Sequence, residues 1–441
     1  MNYKEIFKNL ATLFIPILFT YLLFTTRTLV DAVFISSKFG ADGVTAVGLV
    51  MPFVSVFSAV GLTLCIGTMT YVGINLGRGE EIKARQSFTT MIFIAAIAMY
   101  FVSAIIFIVW NISAVTMYEN IPKEIILEAR NYIYVFILLS PIMAIAYMTS
   151  QMLLIEGKIK LKIILVSFTT LSNILFNYIF LFVFDMGIMG TALGTFVSLL
   201  IDVVVAVYYF KFISTKLKLV KPSIKNTDYK QVIFNGSSDG MVQLADALKI
   251  AIYNAILLAL LGSAGVAVFG YISNIFLIGS MTLFSLADSI NPILSVMYGK
   301  GDKENIRKTL RLALIVSLSL GCLLYIILTV FDKQIYSIFN IEDIAIYDMT
   351  LKYSKIYLLS FLLFGVNQVV TAYLTATNNP IQSLKLSLVR NLIIIITVLI
   401  ALAFLFGING IWYAGIITEV ITFIIIIISY YRSKSKKNKT F

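Results

Sequence analysis

The chain is a succession of long apolar runs separated by short polar ones. Stretches of the roughly 20 residues that a helix needs to cross hydrocarbon fall at about 10–36, 46–75, 87–110, 131–154, 161–184 and 188–212. They recur at about 232–261, 264–297, 309–331, 351–376, 383–406 and 408–431. This pattern predicts an all-α membrane protein with twelve transmembrane helices in two six-helix bundles. Residues 1–210 form the N-terminal bundle, 211–231 a basic linker, 232–431 the C-terminal bundle and 432–441 a basic tail.

The second bundle repeats the first. Gly40, Gly43, Val44, Gly48, Gly77, Gly79 and Arg85 recur at a constant offset of 222 as Gly262, Gly265, Val266, Gly270, Gly299, Gly301 and Arg307. A weaker echo at 220 joins Gly187-Ile188-Met189-Gly190 to Gly407-Ile408-Asn409-Gly410. Six spans per half is an even number, so both halves enter the membrane in the same orientation and the repeats are parallel, related by an axis along the membrane normal. Duplication of this kind marks secondary transporters, whose sites lie at or between the repeated bundles.

Composition agrees with a bilayer as solvent: 60% of residues are hydrophobic and 13% charged, against about 25% charged in soluble domains. The net charge of +12 is explained by where the basic residues fall. Most Lys and Arg lie on one side, including Lys211, Lys216, Lys218, Lys221, Lys225 and Lys230 of the linker. The positive-inside rule then puts both termini in the cytoplasm, and no nucleic-acid partner is expected. The two cysteines lie in different spans and suggest no disulfide or metal site. No loop is large enough for a catalytic domain, and Gly77-Arg78-Gly79 lacks the P-loop spacing, so the chain does not read as an enzyme or as ATP-driven.

Nine ionisable residues fall inside spans: Asp31, Asp202, Asp239, Asp246, Asp288 and Glu419 against Arg27, Lys249 and Arg390. Each costs about 2.5–3.5 kcal/mol at a helix centre, so such residues face the interior or a wet cavity and mark pathways. The excess of acids favours a cation. Arg27 with Asp31, and Asp246 with Lys249, stand one turn apart and offer local pairing instead. Depth along the spans lets Asp31 meet Asn173, Asn177 and Thr195 in the outer half of the N-terminal bundle. A carboxylate among amide and hydroxyl oxygens is a site for a hard cation such as sodium or a protonatable centre; ordinary interhelical hydrogen bonding is the plainer reading of the polar trio. With no histidine in the chain, any proton relay uses carboxylates. In the C-terminal bundle, Asp239, Asp246, Asp288 and Glu419 are the substrate or coupling candidates, with Arg27 and Lys249 as ion-pair partners.

Over nearly its whole length the chain resembles the multidrug and toxin extrusion (MATE) family. The likeness rests on Asp31-Ala32-Val33-Phe34-Ile35 with Gly40 and Ala46-Val47-Gly48, and on the paired loops Leu76-Gly77-Arg78-Gly79 and Tyr298-Gly299-Lys300-Gly301. Asn235-Gly236-Ser237-Ser238 adds a helix-seven opening of a bacterial subgroup. The resemblance implies a V-shaped, two-lobed antiporter that exports amphipathic organic cations, antibiotics among them, driven by inward sodium or proton flow and without a cofactor. It implies a monomer in the bacterial cytoplasmic (inner) membrane. Asp31, Asn173 and Thr195 match the family's N-lobe acid, helix-five Asn and helix-six Thr. Asn177 stands where many members have a second Asp and Tyr178 where they have Pro, which removes one N-lobe charge. Asp246 matches a helix-seven Glu of one branch, whose helix-ten Asp is here Gly365; Asp288 and Glu419 resemble acids of another. The rival reading is a lipid-linked oligosaccharide flippase of related fold, which would be expected to line its cavity with cations for pyrophosphate.

Overall fold

Within hydrocarbon no water is available to the backbone, so each apolar run satisfies its own N–H and C=O groups as a helix. The computed structural model describes residues 3–116, 122–337, 339, 341 and 343–437. Eleven of its helices are long and apolar enough to span. They are α1 (Tyr3–Gly40), α2 (Thr45–Gly77), α3 (Glu81–Ile112), α4 (Lys123–Ile155), α5 (Ile159–Val183), α6 (Met189–Ile213), α7 (Tyr229–Gly262), α8 (Ala264–Gly299), α9 (Lys303–Val330), α10 (Ile344–Ala376) and α11 (Pro380–Ile411). A shorter apolar stretch, Ala414–Ser429, forms α12. Several helices outrun the apolar stretches that announce them, because a helix continues into the headgroup region until a glycine or a polar turn stops it. At 1.5 Å per residue, the 38 residues of α1 extend about 57 Å, well beyond a core of about 30 Å.

Two breaks show the duplication in the backbone itself. The helical run Tyr3–Gly77 turns at Gly40 with φ 58° and ψ −145°, and the run Tyr229–Gly299 turns at Gly262 with φ 65° and ψ −154°. These angles belong to a region that only glycine enters cheaply, so the repeated glycines make the repeated corners. Gly187 and Gly407, the pair offset by 220, also share a positive φ, 66° and 57°.

Polarity is inverted relative to a water-soluble protein. Phe404 is 90% exposed, whereas Asn173, Asn177 and Asn367 are fully buried. The surface therefore suits lipid, and the chain is a multi-pass membrane protein. One core runs through the first half, from Ile35 to Val232, and includes Phe57, Phe88, Trp110, Phe136 and Phe196. A second is built from Tyr253, Phe269, Tyr357 and Trp412 of the other half. The linker is strapped to the first half: Arg85 donates to the Thr215 and Lys216 carbonyls at 2.8 and 2.9 Å, and the buried Glu156 carboxylate accepts the Ser214 hydroxyl and the Lys216 and Leu217 N–H groups. Farther along, Thr89 and Thr90 hydroxyls accept the Val220 and Ser223 N–H groups.

The two halves meet toward one end, the one that carries Tyr3, the linker and the start of α7; it is called the basic end below. Here helices approach backbone to backbone. A Cβ on Gly67 would lie 1.9 Å from the Val232 carbonyl oxygen, and one on Gly236 would lie 1.8 Å from that of Thr63. Gly77 and Gly299, partners in the 222-residue repeat, face each other: a Cβ on either would lie within 2.9 Å of the other's Cα. The pseudo-twofold axis thus passes between α2 and α8 at this contact. Among the described residues hydrogen bonds also cross between the halves from Tyr21 to Asp288 and Thr70 to Asn291, and nearer the helix midpoints from Thr25 to Met281. At its far end α1 turns to its own half instead, where Lys38 donates to Asp185 at 2.5 Å and to the Leu181 carbonyl.

Candidate functional site

Asp31 stands in the part of α1 away from the basic end, and the i,i+4 spacing of Asn173 and Asn177 puts both on the face of α5 from which Asn177 reaches it. Asn177 Nδ2 donates to Asp31 Oδ1 at 2.5 Å and reaches Asn173 Oδ1 at 3.4 Å. Asn173 Nδ2 donates in turn to Thr195 Oγ1 of α6 at 3.0 Å. Three helices are joined by one polar chain. The Asn177 amide fits because Gly194 leaves room for it: a Cβ there would lie 2.0 Å from Asn177 Oδ1. That oxygen is buried without a hydrogen-bond partner. Immediately after Asn177 and Tyr178, α5 widens into a π turn over Ile179–Val183, a distortion common beside functional residues.

Chemically this chain can hold charge in two ways. With Asn177 donating, the carboxylate is hydrogen-bonded as it stands and is open to protonation. Rotating the Asn177 amide by half a turn would place its orphaned oxygen beside Asp31, adding to the oxygens of Asn173 and Thr195 the set that a hard monovalent cation takes. Arg27 does not close the site. Among the described residues it forms no ion pair with Asp31; its guanidinium lies over the Phe24 ring at 5.0 Å.

The four C-terminal acids separate into two kinds. Asp246 accepts Lys249 Nζ at 2.5 Å, the local pair that the one-turn spacing offers. Glu419 is buried and held by Arg390 at 2.8 and 3.2 Å, with Asn367 Nδ2 donating to its other oxygen at 2.7 Å. Gln368 accepts from the same guanidinium at 3.1 Å, and the Phe364 ring covers it at 4.8 Å. Both acids are thus neutralised within their own half. Among the described residues Asp239 and Asp288 form no ion pair, although Lys162 lies within electrostatic reach of Asp288. Asp239 takes a hydrogen bond from the Ser238 hydroxyl at 3.2 Å, and Asp288 takes one from the Tyr21 hydroxyl at 2.5 Å. The two carboxylates lie within electrostatic reach of each other, on α7 and α8 where the halves join. Asp202 is buried in the other half with Oδ1 unpartnered.

Sequence reasoning passes over Lys162, Tyr21 and Tyr132, and over the partner of Arg390. Lys162 is buried near the basic end of α5, donates to Gln151 Oε1 at 2.8 Å and lies within reach of Asp202 and Asp288. At the edge of an apolar run it reads as a loop residue. Tyr21 is one of 24 tyrosines and nothing local distinguishes it. Arg390 stands out as an intramembrane charge, but its pairing with Glu419 joins residues 29 apart on different helices. Tyr132, within electrostatic reach of Asp31 and Arg27, carries no sequence signal.

A family model described as MatE matches residues 16–179 and 250–401. Multidrug export protein MepA of Staphylococcus saprophyticus is 22% identical over 432 residues, covering 95% of this chain and 92% of the relative. MepA of Staphylococcus aureus is 23% identical over 434 residues, covering 94% and 91%. Among solved structures, the Vibrio cholerae MATE transporter VcmN in its bent form superposes with a TM-score of 0.88 at 20% identity, over 100% of this chain and 99% of that one. An outward-facing multidrug resistance MATE transporter matches at 0.87 and 18%, over 98% and 96%. The fold is therefore the two-lobed one, built from the two halves of the duplication.

Proposed function

Because this chain belongs to the MatE family of transporters, we propose that it exports amphipathic organic cations from the bacterial cytoplasm in exchange for an inward-moving sodium ion or proton. The observation that carries the coupling is the Asp31–Asn177–Asn173–Thr195 chain, an acid that forms no ion pair among the described residues, in the half of the bundle away from the basic end. With the basic end in the cytoplasm, as the positive-inside rule places it, Asp31 faces the external side. A cation arriving from outside finds Asp31, while the cargo finds Asp239 and Asp288 at the floor between the halves. The MepA relatives, named as multidrug exporters, support the cargo class.

Alternating access then requires the halves to part at the basic end and close at the other. Binding of the external ion at Asp31 must favour the state that releases cargo, and by linkage each ligand lowers the other's affinity by the same factor. The excess of unpaired acid over base at the halves' junction disfavours the pyrophosphate of a lipid-linked sugar. The test is efflux of ethidium from cells under a sodium gradient or a proton gradient imposed separately, with Asp31→Asn alongside. Efflux driven by one gradient and lost in the variant identifies the coupling ion. Absence of gradient-dependent efflux across several organic cations overturns the reading and directs attention to lipid export.

A further inference from the structure

The duplication makes two interfaces between the halves comparable, α2 with α7 and α8 with α1. Because α1 and α7 run unbroken to the repeated corners at Gly40 and Gly262, the 222-residue offset holds along them, and position can be compared with position. On the α2–α7 side the contact is made by Gly67, Gly236 and Gly240, where added Cβ atoms would fall 1.8–2.0 Å from Val232, Thr63 or its hydroxyl. Their counterparts on the α8–α1 side are Ser289, Phe14 and Leu18. There the contact is made by side chains, with Phe14 packed on the buried cluster that includes Leu10, Leu286 and Ile290. Between these helices Tyr21 from one half meets Asp288 from the other, bonded at 2.5 Å. The repeat counterparts of this pair, Gln243 and Ile66, cannot form such a bond. One interface is therefore close-packed backbone to backbone, and the other, packed through side chains, carries a charged acceptor.

Resting on the reading above, in which organic cations bind between the halves, we propose that Tyr21 is an internal competitor for Asp288: its hydroxyl takes over the carboxylate as the basic end closes and so expels the cation that Asp288 held. Opening the basic end must separate α1 from α8 and break this bond, leaving Asp288 exposed beside Asp239. Asp288 lies within electrostatic reach of Asp239 and of the cation Lys162, so two carboxylates face one lysine and draw a further cation once the hydroxyl leaves. Closure restores the bond and removes the cargo's counter-charge. The tight α2–α7 side serves as the fulcrum.

The test uses the full-length protein in detergent and in cells. Equilibrium binding of ethidium is followed by fluorescence anisotropy, and its gradient-driven efflux by fluorescence, for wild type, Tyr21→Phe, Asp288→Asn and the double variant. Tyr21→Phe keeps the ring packed against the cluster of Leu13, Ile17 and Leu154 and removes only the hydroxyl. It is expected to bind ethidium about ten- to a hundredfold more tightly, the scale of one hydrogen bond to a charged group, and to export it more slowly. In the Asp288→Asn background the same change should alter neither quantity. Spin labels at Ile82→Cys and Lys303→Cys, in a background without Cys65 and Cys322, should report a longer distance across the basic end in Tyr21→Phe. Unchanged or weaker binding by Tyr21→Phe, or an equal effect with and without Asp288, overturns the competitor role. A wild-type protein that neither binds nor exports ethidium or other organic cations overturns the transport reading as well.

Discussion

Asp31 is a carboxylate bonded by the Asn177 amide, and its proposed role in coupling makes the simplest residue-scale prediction. Asp31→Asn removes the charge but keeps a side chain that can still bond Asn177, so the protein should reach the membrane in normal amount while efflux falls at least about tenfold, a loss of some 1.4 kcal/mol in driving interaction. Quantitative blotting with ethidium efflux checks both parts. Asp202→Asn should cost far less, because Asp202 is buried away from the outer chain and near Lys162. The Glu419–Arg390 pair carries a different expectation. Removing one member strands a buried charge, which costs about 3–5 kcal/mol in soluble proteins, whereas replacing both by apolar residues of similar size is nearly neutral. Arg390→Met and Glu419→Gln should therefore each lower the melting temperature in detergent, and Arg390→Met with Glu419→Met should recover most of the loss. Sequence alone presents Glu419 and Asp246 as acids equal to Asp288. Only their partners separate them: Asp246 has its cation on the same helix turn, Glu419 has one on a neighbouring helix, and Asp288 has a tyrosine hydroxyl from the other half.

At the scale of elements, glycines do two unlike jobs, and substitution should separate them. Gly40 has open space where a Cβ would go, yet its φ is 58°. Gly40→Ala is thus expected to cost about 1–3 kcal/mol through the backbone alone, read as lowered thermal stability with transport otherwise intact in the folded fraction. Gly236 has ordinary helical geometry but no room. Gly236→Ala should push α7 off α2 and weaken the closed basic end, seen as a longer distance between spin labels on the two halves and as slower efflux. The corners at Gly40 and Gly262 can be anticipated from the repeated glycines, since a residue that recurs at a constant offset across diverged halves answers the same backbone demand. The contact between Gly77 and Gly299 cannot: the repeat says they are equivalent, and only the docking of the halves says that they touch.

For the molecule as a whole, the linker belongs mechanically to the first half. Arg85, Glu156, Thr89 and Thr90 bind it along its length, so the rocking that the proposed transport requires would be absorbed near Asp228, which caps α7 by accepting the Gln231 N–H at 3.0 Å. If ion and cargo oppose each other through that motion, raising the coupling ion to saturation should weaken ethidium binding by the same factor by which saturating ethidium weakens ion binding. Paired titrations measure both, and unequal factors would break the scheme. What the sequence determines by itself is what depends on solvent and on chain order. Apolar length sets the spans, charge in the loops sets the expected orientation, the 222-residue offset sets the parallel duplication, and the spacing of Asn173 and Asn177 places two amides on one helix face. The tertiary structure decides which charges remain unpaired. Hydrogen bonds between helices depend on rotation and approach at distances of 2.5–3.5 Å, and a shift of one residue in sequence turns a helix by about 100°, so the partners of Asp288, Glu419 and Lys162 emerge only when the halves and their helices are docked.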